Sequence, residues 1–260
     1  MKAVVVALLW LIGSADFAGA AQYYFPIVAA GFTPGSSDQF YVTEFVINNP
    51  SARRIDGQLS FFALDGSSMS VGLRVVPGST TSTESFFELS VPANGTWRAY
   101  TNETAALRTG WVILDTTEDV NSIAVFSLNS RRSGLISEAS VFPAFTGMIQ
   151  RLLGDTGQRS ASIALLTDQT ISDTGIAIAN GNSQAASVTI RLLDSSGRTT
   201  QSSRITLQPF SSTSKFLREF FAGLTSFQGT VEIQSYLPIA ALGLRFTGAV
   251  FTTLPVSVIQ

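Results

Sequence analysis

The chain has 260 residues, of which 45% are hydrophobic and 13% are charged, and its formal net charge is −2. This length provides material for one or two domains, and the charge balance lacks the basic field that binding to nucleic acid or an anionic membrane requires. The chain contains no cysteine and no histidine, which excludes disulfides, thiolate metal sites and proton transfer by imidazole. We therefore expect a non-enzyme without a cofactor or metal, and without a nucleic-acid partner.

Residues 1–20 have the pattern of a secretory signal. Lys2 precedes an apolar run over residues 3–12, and the small residues Ala18 and Ala20 mark a cleavage site. The run is roughly half as long as the ~20 residues that a membrane-spanning helix needs. We predict cleavage after Ala20 and a secreted protein without a transmembrane span, located outside the cell, at the cell surface or in the periplasm.

The mature chain has the alternating pattern of short β-strands separated by turn signals. In residues 229–246, Val231 and Ile233 alternate with polar residues, and Leu244 continues the period of two after an interruption at residues 236–238. Such alternation buries one side of each strand and leaves the other side towards water. We predict a strand, a turn and a second strand.

The same pattern occurs earlier in the chain, where residues 110–126 predict another hairpin. Val125 stands where Leu244 stands, 119 residues earlier (244 − 125 = 119). Two further matching segments begin at Thr43 and Thr174, which are 131 residues apart (174 − 43 = 131). These matches predict an internal duplication.

The predicted fold is all-β, with two tandem immunoglobulin-like antiparallel β-sandwiches over residues 21–144 and 145–260. The difference between the two spacings predicts about twelve extra residues in the first copy (131 − 119 = 12), around residues 72–86. One short helix is predicted in the second copy over residues 214–223, because a serine can cap its start and Gly223 can end it.

Several turn and strand-end segments carry a resemblance to a known class. They are Tyr24-Phe25-Pro26, Asn49-Pro50-Ser51, residues 62–66, residues 106–110 and residues 251–256. Together they resemble duplicated immunoglobulin-like β-sandwich modules of secreted bacterial proteins, over nearly the whole mature chain. The resemblance implies a structural or interaction role outside the cell, and it carries over no catalytic residue.

The acidic residues permit two readings. Asp115, Glu118 and Asp119 could supply the paired carboxylates of a glycoside hydrolase, but their place on a predicted hairpin turn favours solvated turn acids. Asp65 and Asp194 could bind calcium, yet the spacing of a calcium loop is absent and aspartate before glycine is common in hairpin turns. We therefore predict no catalytic or metal-binding residue.

The leading hypothesis is a structural or adhesive module that binds protein surfaces, cell-wall or extracellular glycans, or a copy of itself. The apolar segment of residues 23–30 could pair with the open sheet edge of a neighbouring subunit, or it could pair within its own domain. Deciding between these two pairings requires the structure.

Two alternative functions remain open. A carbohydrate-binding module would stack sugars on exposed aromatic side chains, and Trp97, Tyr100 and Trp111 are close enough in sequence to be tried, with Tyr24 and Phe25 as further contact candidates. A periplasmic chaperone-like protein would share the predicted pair of sandwiches, although the basic anchor pair of such chaperones is not found in the sequence.

Overall fold

In a computed structural model the chain is described over residues 21–78, 81–102, 106–144, 146–159 and 171–259, and this part is mostly β-strand. The all-β prediction is confirmed, while the immunoglobulin-like assignment and the domain boundary near residue 144 stay predictions. The predicted signal peptide lies outside the described residues. No helix in the described part of the chain is long and apolar enough to cross a membrane.

The first half of the molecule consists of strands β1 to β10. They are β1 (Ala21–Phe32), β2 (Gln39–Asn48), β3 (Ile55–Ala63), β4 (Val71–Val76), β5 (Thr81–Glu84), β6 (Phe86–Val91), β7 (Thr96–Thr101), β8 (Arg108–Thr116), β9 (Asn121–Ser130) and β10 (Gly134–Val141). One layer has the order β6-β3-β8-β1, and the other has the order β5-β4-β7-β2-β9-β10. Strand β1 joins them, because its first part pairs with β8 and its last two residues pair with β2.

The core of the first half lies between these two layers. Phe25 of β1 and Phe61 of β3 each meet Phe45 of β2 edge to face, with ring centroids 5.7 Å apart. All three side chains are buried. Alternation along each strand therefore places one apolar row in the core, as the sequence pattern requires.

The second half repeats this arrangement with fewer strands. Its elements are β11 (Thr146–Arg159), β12 (Ile171–Ala179), β13 (Ala186–Leu193), β14 (Thr199–Leu207), β15 (Ser212–Phe216), α1 (Leu217–Phe220), β16 (Phe227–Thr247), β17 (Val250–Leu254) and β18 (Val256–Ile259). The strand order β14-β13-β16-β11 is equivalent to β6-β3-β8-β1 of the first half. The strand order β15-β12-β16-β17 is equivalent to β7-β2-β9-β10. Strands β4 and β5 extend the first half beyond β7, within the stretch where extra residues are predicted.

The hairpins predicted over residues 110–126 and 229–246 are wrong, because the two segments of each do not pair with each other. Strand β8 pairs with β1 and β3, whereas β9 pairs with β2 and β10, so the chain crosses from one layer to the other between them. In the second half β16 is one strand of 21 residues. Its first part pairs with β13 and its last part with β12, and the change of partner occurs around Tyr236. Alternation predicts which face is buried but not which strand is the neighbour.

The predicted helix is shorter than expected. Ser214 and Phe216 belong to β15, which pairs with β12, and α1 is one turn long. The backbone N–H of Phe216 donates to the carboxylate of Glu219 at 2.7 Å. Leu217 and Phe220 of α1 pack into the second core. Strand pairing therefore prevails over local helix propensity at the start of this segment.

Val125 and Leu244 keep matching faces but differ in burial. The neighbours of Val125 on β9, Ala124 and Phe126, face the first core, and Val125 itself is only half-buried. Leu244 also faces away from its own core, yet it is 4% exposed because it packs against the cluster of the first half. The alignment of these two positions predicts that both are buried, and this is wrong for Val125 because only the outer face of the second half is covered.

Residues 23–30 pair within their own half. Tyr23 lies opposite Leu114, and Ala30 lies opposite Arg108, with a bulge between Phe25 and Val28. Phe25, Val28 and Ala29 are buried in the first core. This segment is therefore an internal strand, which contradicts its use as a strand donated to a neighbouring subunit.

Candidate functional site at the junction of the two halves

Trp111 connects the two halves. It follows Gly110 at the start of β8 and its side chain is fully buried. Its indole Nε1–H donates to the carbonyl oxygen of Phe210 in the second half at 2.8 Å. Phe62 stacks on Trp111 at 5.1 Å and on Phe210 at 5.6 Å between ring centroids. The junction thus has the buried aromatic packing and satisfied polar groups of a protein core.

The backbones of the two halves approach closely beside this aromatic cluster. The N–H of Ser212 donates to the carbonyl of Leu64 at 3.0 Å. A Cβ atom on Gly66 would lie 2.4 Å from the carbonyl oxygen of Pro209, and Gly66 has a φ of +91°. Only glycine fits this position without displacing the backbone. Phe210 also has a positive φ, of 56°, which is rare for an aromatic residue and marks a locally strained turn.

A groove of about 600 Å³ lies beside the junction. Tyr23 and Tyr24 form one side, and the segment Phe142-Pro143-Ala144, which connects β10 to β11, forms another. The N–H of Ala144 donates to the carbonyl of Tyr24 at 2.7 Å, which holds the connection against β1. Phe142 is 63% exposed, so its ring is available to a ligand.

Polar groups line the same groove. Gln22, Asn121 and Ser122 contribute amide and hydroxyl groups. Ser122 Oγ is buried and has no hydrogen-bond partner in the described part of the chain. Aromatic faces combined with amides and hydroxyls are the chemistry that binds a sugar or a short peptide.

Separate hydrogen bonds position the two tyrosines. The hydroxyl of Tyr24 donates to Gln22, whose Nε2 donates to Asp115 Oδ1 at 2.8 Å. Burial raises the pKa of Asp115, and the hydrogen bond from Gln22 partly opposes that rise. Burial also raises the pKa of Tyr23, whose hydroxyl accepts the N–H of Val120 at 2.9 Å. Asp115 thus lies within strand β8 and accepts the hydrogen bond from Gln22. This corrects its predicted place on a hairpin turn.

The five aromatic contact candidates do not form one site. Tyr24 and Trp111 are neighbours, with ring centroids 6.3 Å apart. Trp111, Phe25 and Trp97 are 0%, 1% and 8% exposed, so they belong to the packed interior and offer no face to a sugar. Tyr100 lies on β7 in the other layer, where the guanidinium groups of Arg74 and Arg98 lie over its ring at 5.6 and 5.9 Å.

The turn aspartates have structural partners. Asp65 Oδ1 accepts the N–H and the hydroxyl of Ser67, and Asp194 Oδ1 accepts the same two groups of Ser196. The hydroxyl of Ser196 is the main cause that lowers the pKa of Asp194 to about 2. The two copies thus build equivalent turns, which favours the turn reading of these residues over a calcium loop.

Sequence reasoning missed Phe142 and Phe210 as site residues. Phe142 ends the first half beside a proline, and an exposed aromatic in such a connection is a usable signal. The sequence gives less indication that Phe210 is a site residue, because phenylalanine rarely adopts the left-handed backbone conformation that Phe210 has here.

Comparison with known proteins does not identify a family. No family model and no curated protein matches the chain. A solved structure described as Thermotoga maritima 1070 is 15% identical and covers 43% of this chain and 91% of its own, with a TM-score of 0.31. A TM-score this low shows neither a shared fold nor a shared function.

Proposed function

We propose that the protein is a secreted, non-catalytic structural or adhesive module that presents fixed surfaces to partners outside the cell. The observation that carries the proposal is the junction around Trp111, where both halves contribute to one buried aromatic cluster. A junction packed like a core keeps surfaces of both halves in a constant arrangement, which an adhesive or load-bearing protein requires.

The uses of the acidic side chains support the same proposal. Glu232 accepts hydrogen bonds from Arg151 and Arg191 across neighbouring strands, at 2.6 and 2.8 Å. Asp65 and Asp194 each hold a turn. These carboxylates therefore stabilise the scaffold, and their charges are matched by nearby donors.

The test is to locate the protein and to measure adhesion. Fractionation of the producing cells should find the processed protein outside the cytoplasm, and surfaces coated with purified protein should retain cells or cell-wall fragments. Hydrolysis of a glycan or peptide that is lost in Asp115→Asn would overturn the proposal, as would exclusive recovery from the cytoplasm.

The groove favours carbohydrate binding as a second candidate function. Phe142 is exposed at its rim and tyrosines line its wall, so a sugar ring can stack there. Binding of cell-wall glycans should decrease roughly fivefold in Phe142→Ala, because stacking contributes about 1 kcal/mol. Tyr236→Ala is the control, since Tyr236 is 89% exposed and is not among the groove residues. Equal binding by both variants would exclude the groove.

A further inference from the structure

Two equivalent sheet edges are open in the described part of the chain. Strand β6 pairs only with β3, and strand β14 pairs only with β13. β6 has six residues and β14 has nine, and neither contains a proline. An open edge presents unpaired N–H and C=O groups, and a strand of another chain can pair with them. Phe86 at the start of β6 is 52% exposed, which leaves apolar surface beside that edge.

The charges on the two edges are opposite. Glu88 is the only charged residue on β6 and points outward, and Arg204 is the only charged residue on β14 and also points outward. Pairing of two β6 edges would bring two carboxylates together, and pairing of two β14 edges would bring two guanidinium groups together. Pairing of β6 with β14 brings opposite charges together.

The neighbouring strands extend this complementarity. Behind β6, the outer surface carries Asp115 on β8 and Asp56 on β3, and Asp56 pairs with Arg54 at 2.9 Å. Behind β14, it carries Arg191 on β13 and Arg151 on β11, which flank Glu232 on β16. The surface next to β6 is therefore mainly acidic, and the surface next to β14 is mainly basic.

One inward-facing apolar pair also matches in this register, whereas Leu89 and Val91 would lie opposite the polar Ser203 and Gln201. Antiparallel pairing with Glu88 opposite Arg204 places buried Phe87 opposite Ile205, which packs on the second core. It places exposed Phe86 opposite Thr206, beside a groove of about 400 Å³ that Leu64 also lines. A slip of one residue would turn every buried side chain of the added strand outward.

We propose that β6 of one molecule pairs antiparallel with β14 of a second copy of this chain, with Glu88 facing Arg204. The partner is thus a second copy of this chain. We call this β6–β14 pairing the joint, and it makes the first-half sheet of one molecule continuous with the second-half sheet of the next. This inference rests on the proposed structural function and replaces residues 23–30 as the means of strand addition.

Charge exchange tests the joint. Sedimentation of the purified protein should show concentration-dependent self-association. Glu88→Arg or Arg204→Glu alone should raise the dissociation constant roughly tenfold, because each places like charges opposite each other. The double variant should restore the wild-type dissociation constant, and a mixture of the two single variants should associate more tightly than either variant alone. Glu138→Arg on β10 is the control, since it makes the same change at an exposed position away from both edges.

The outcomes separate the joint from the proposed function. The joint is overturned if the wild-type protein stays monomeric up to about 1 mM, or if the charge variants have the same dissociation constant as the wild type. If that monomer still binds cell surfaces, the adhesive function stands without self-association. Far-ultraviolet circular dichroism and melting temperatures of all variants check that the exposed substitutions leave the fold intact.

Discussion

Removal of the Trp111 side chain should uncouple the two halves of the molecule. Trp111 is fully buried, so Trp111→Ala leaves a large cavity at the junction that costs about 3–5 kcal/mol. Loss of the hydrogen bond to the Phe210 carbonyl adds about 1 kcal/mol. The sum is a large fraction of the 5–15 kcal/mol by which a typical protein is stable. Because the lost contacts join the halves, we expect one cooperative transition to become two.

The assay is urea unfolding followed by two probes. In Trp111→Ala produced from residue 21 onward, the remaining tryptophan is Trp97, which lies in the first core. Its fluorescence therefore reports the first half, whereas far-ultraviolet circular dichroism reports both halves. The two curves should coincide in the wild type and separate in the variant.

The control is Trp97→Ala, which removes the same atoms from the interior of the first half. It should lower stability by a comparable amount, about 3–5 kcal/mol. Coincident curves in Trp111→Ala, with a loss below about 1 kcal/mol, would refute the argument that this cluster couples the halves.

Three further predictions concern other parts of the chain. Leu244→Ala should lower the free energy of unfolding by about 2–5 kcal/mol, and Val125→Ala by about 1 kcal/mol or less, because only Leu244 is covered; equal losses would contradict the difference in burial. An NMR titration should place the pKa of Asp115 above 3.8, and Gln22→Ala should raise it further. Because that pKa is raised on folding, ionisation of Asp115 lowers stability at neutral pH, and this loss should disappear as the pH falls towards the unfolded value. N-terminal sequencing of exported protein should show cleavage after Ala20, and recovery of the chain starting at Met1 would count against export.

Alternation and internal spacing predicted the strands well, because both follow from burial of one face. The offset that aligned Val125 with Leu244 also aligned the faces of β9 and the end of β16. The stretch predicted to hold extra residues contains β4 and β5. Partners of strands were predicted poorly, because alternation contains no information about which strand lies alongside.

The candidate site was largely beyond sequence reasoning. Trp111 and Trp97 looked like contact residues because aromatic composition does not distinguish a core from a binding face. Burial of Trp111 depends on Phe210, which is 99 residues away in the chain. The sequence did not predict that Tyr24 lies beside Trp111, and the groove next to it depends on how the connection around Phe142 lies against β1.

The covered outer face of the second half has a consequence for the exchange of modules during evolution. Leu242, Leu244 and Phe251 are buried only where the second half packs against the first. A second half that was cut out and joined to another protein would expose this apolar surface and tend to aggregate. The two halves share an order of strand pairing, yet this covered surface makes the second half depend on the first for its solubility.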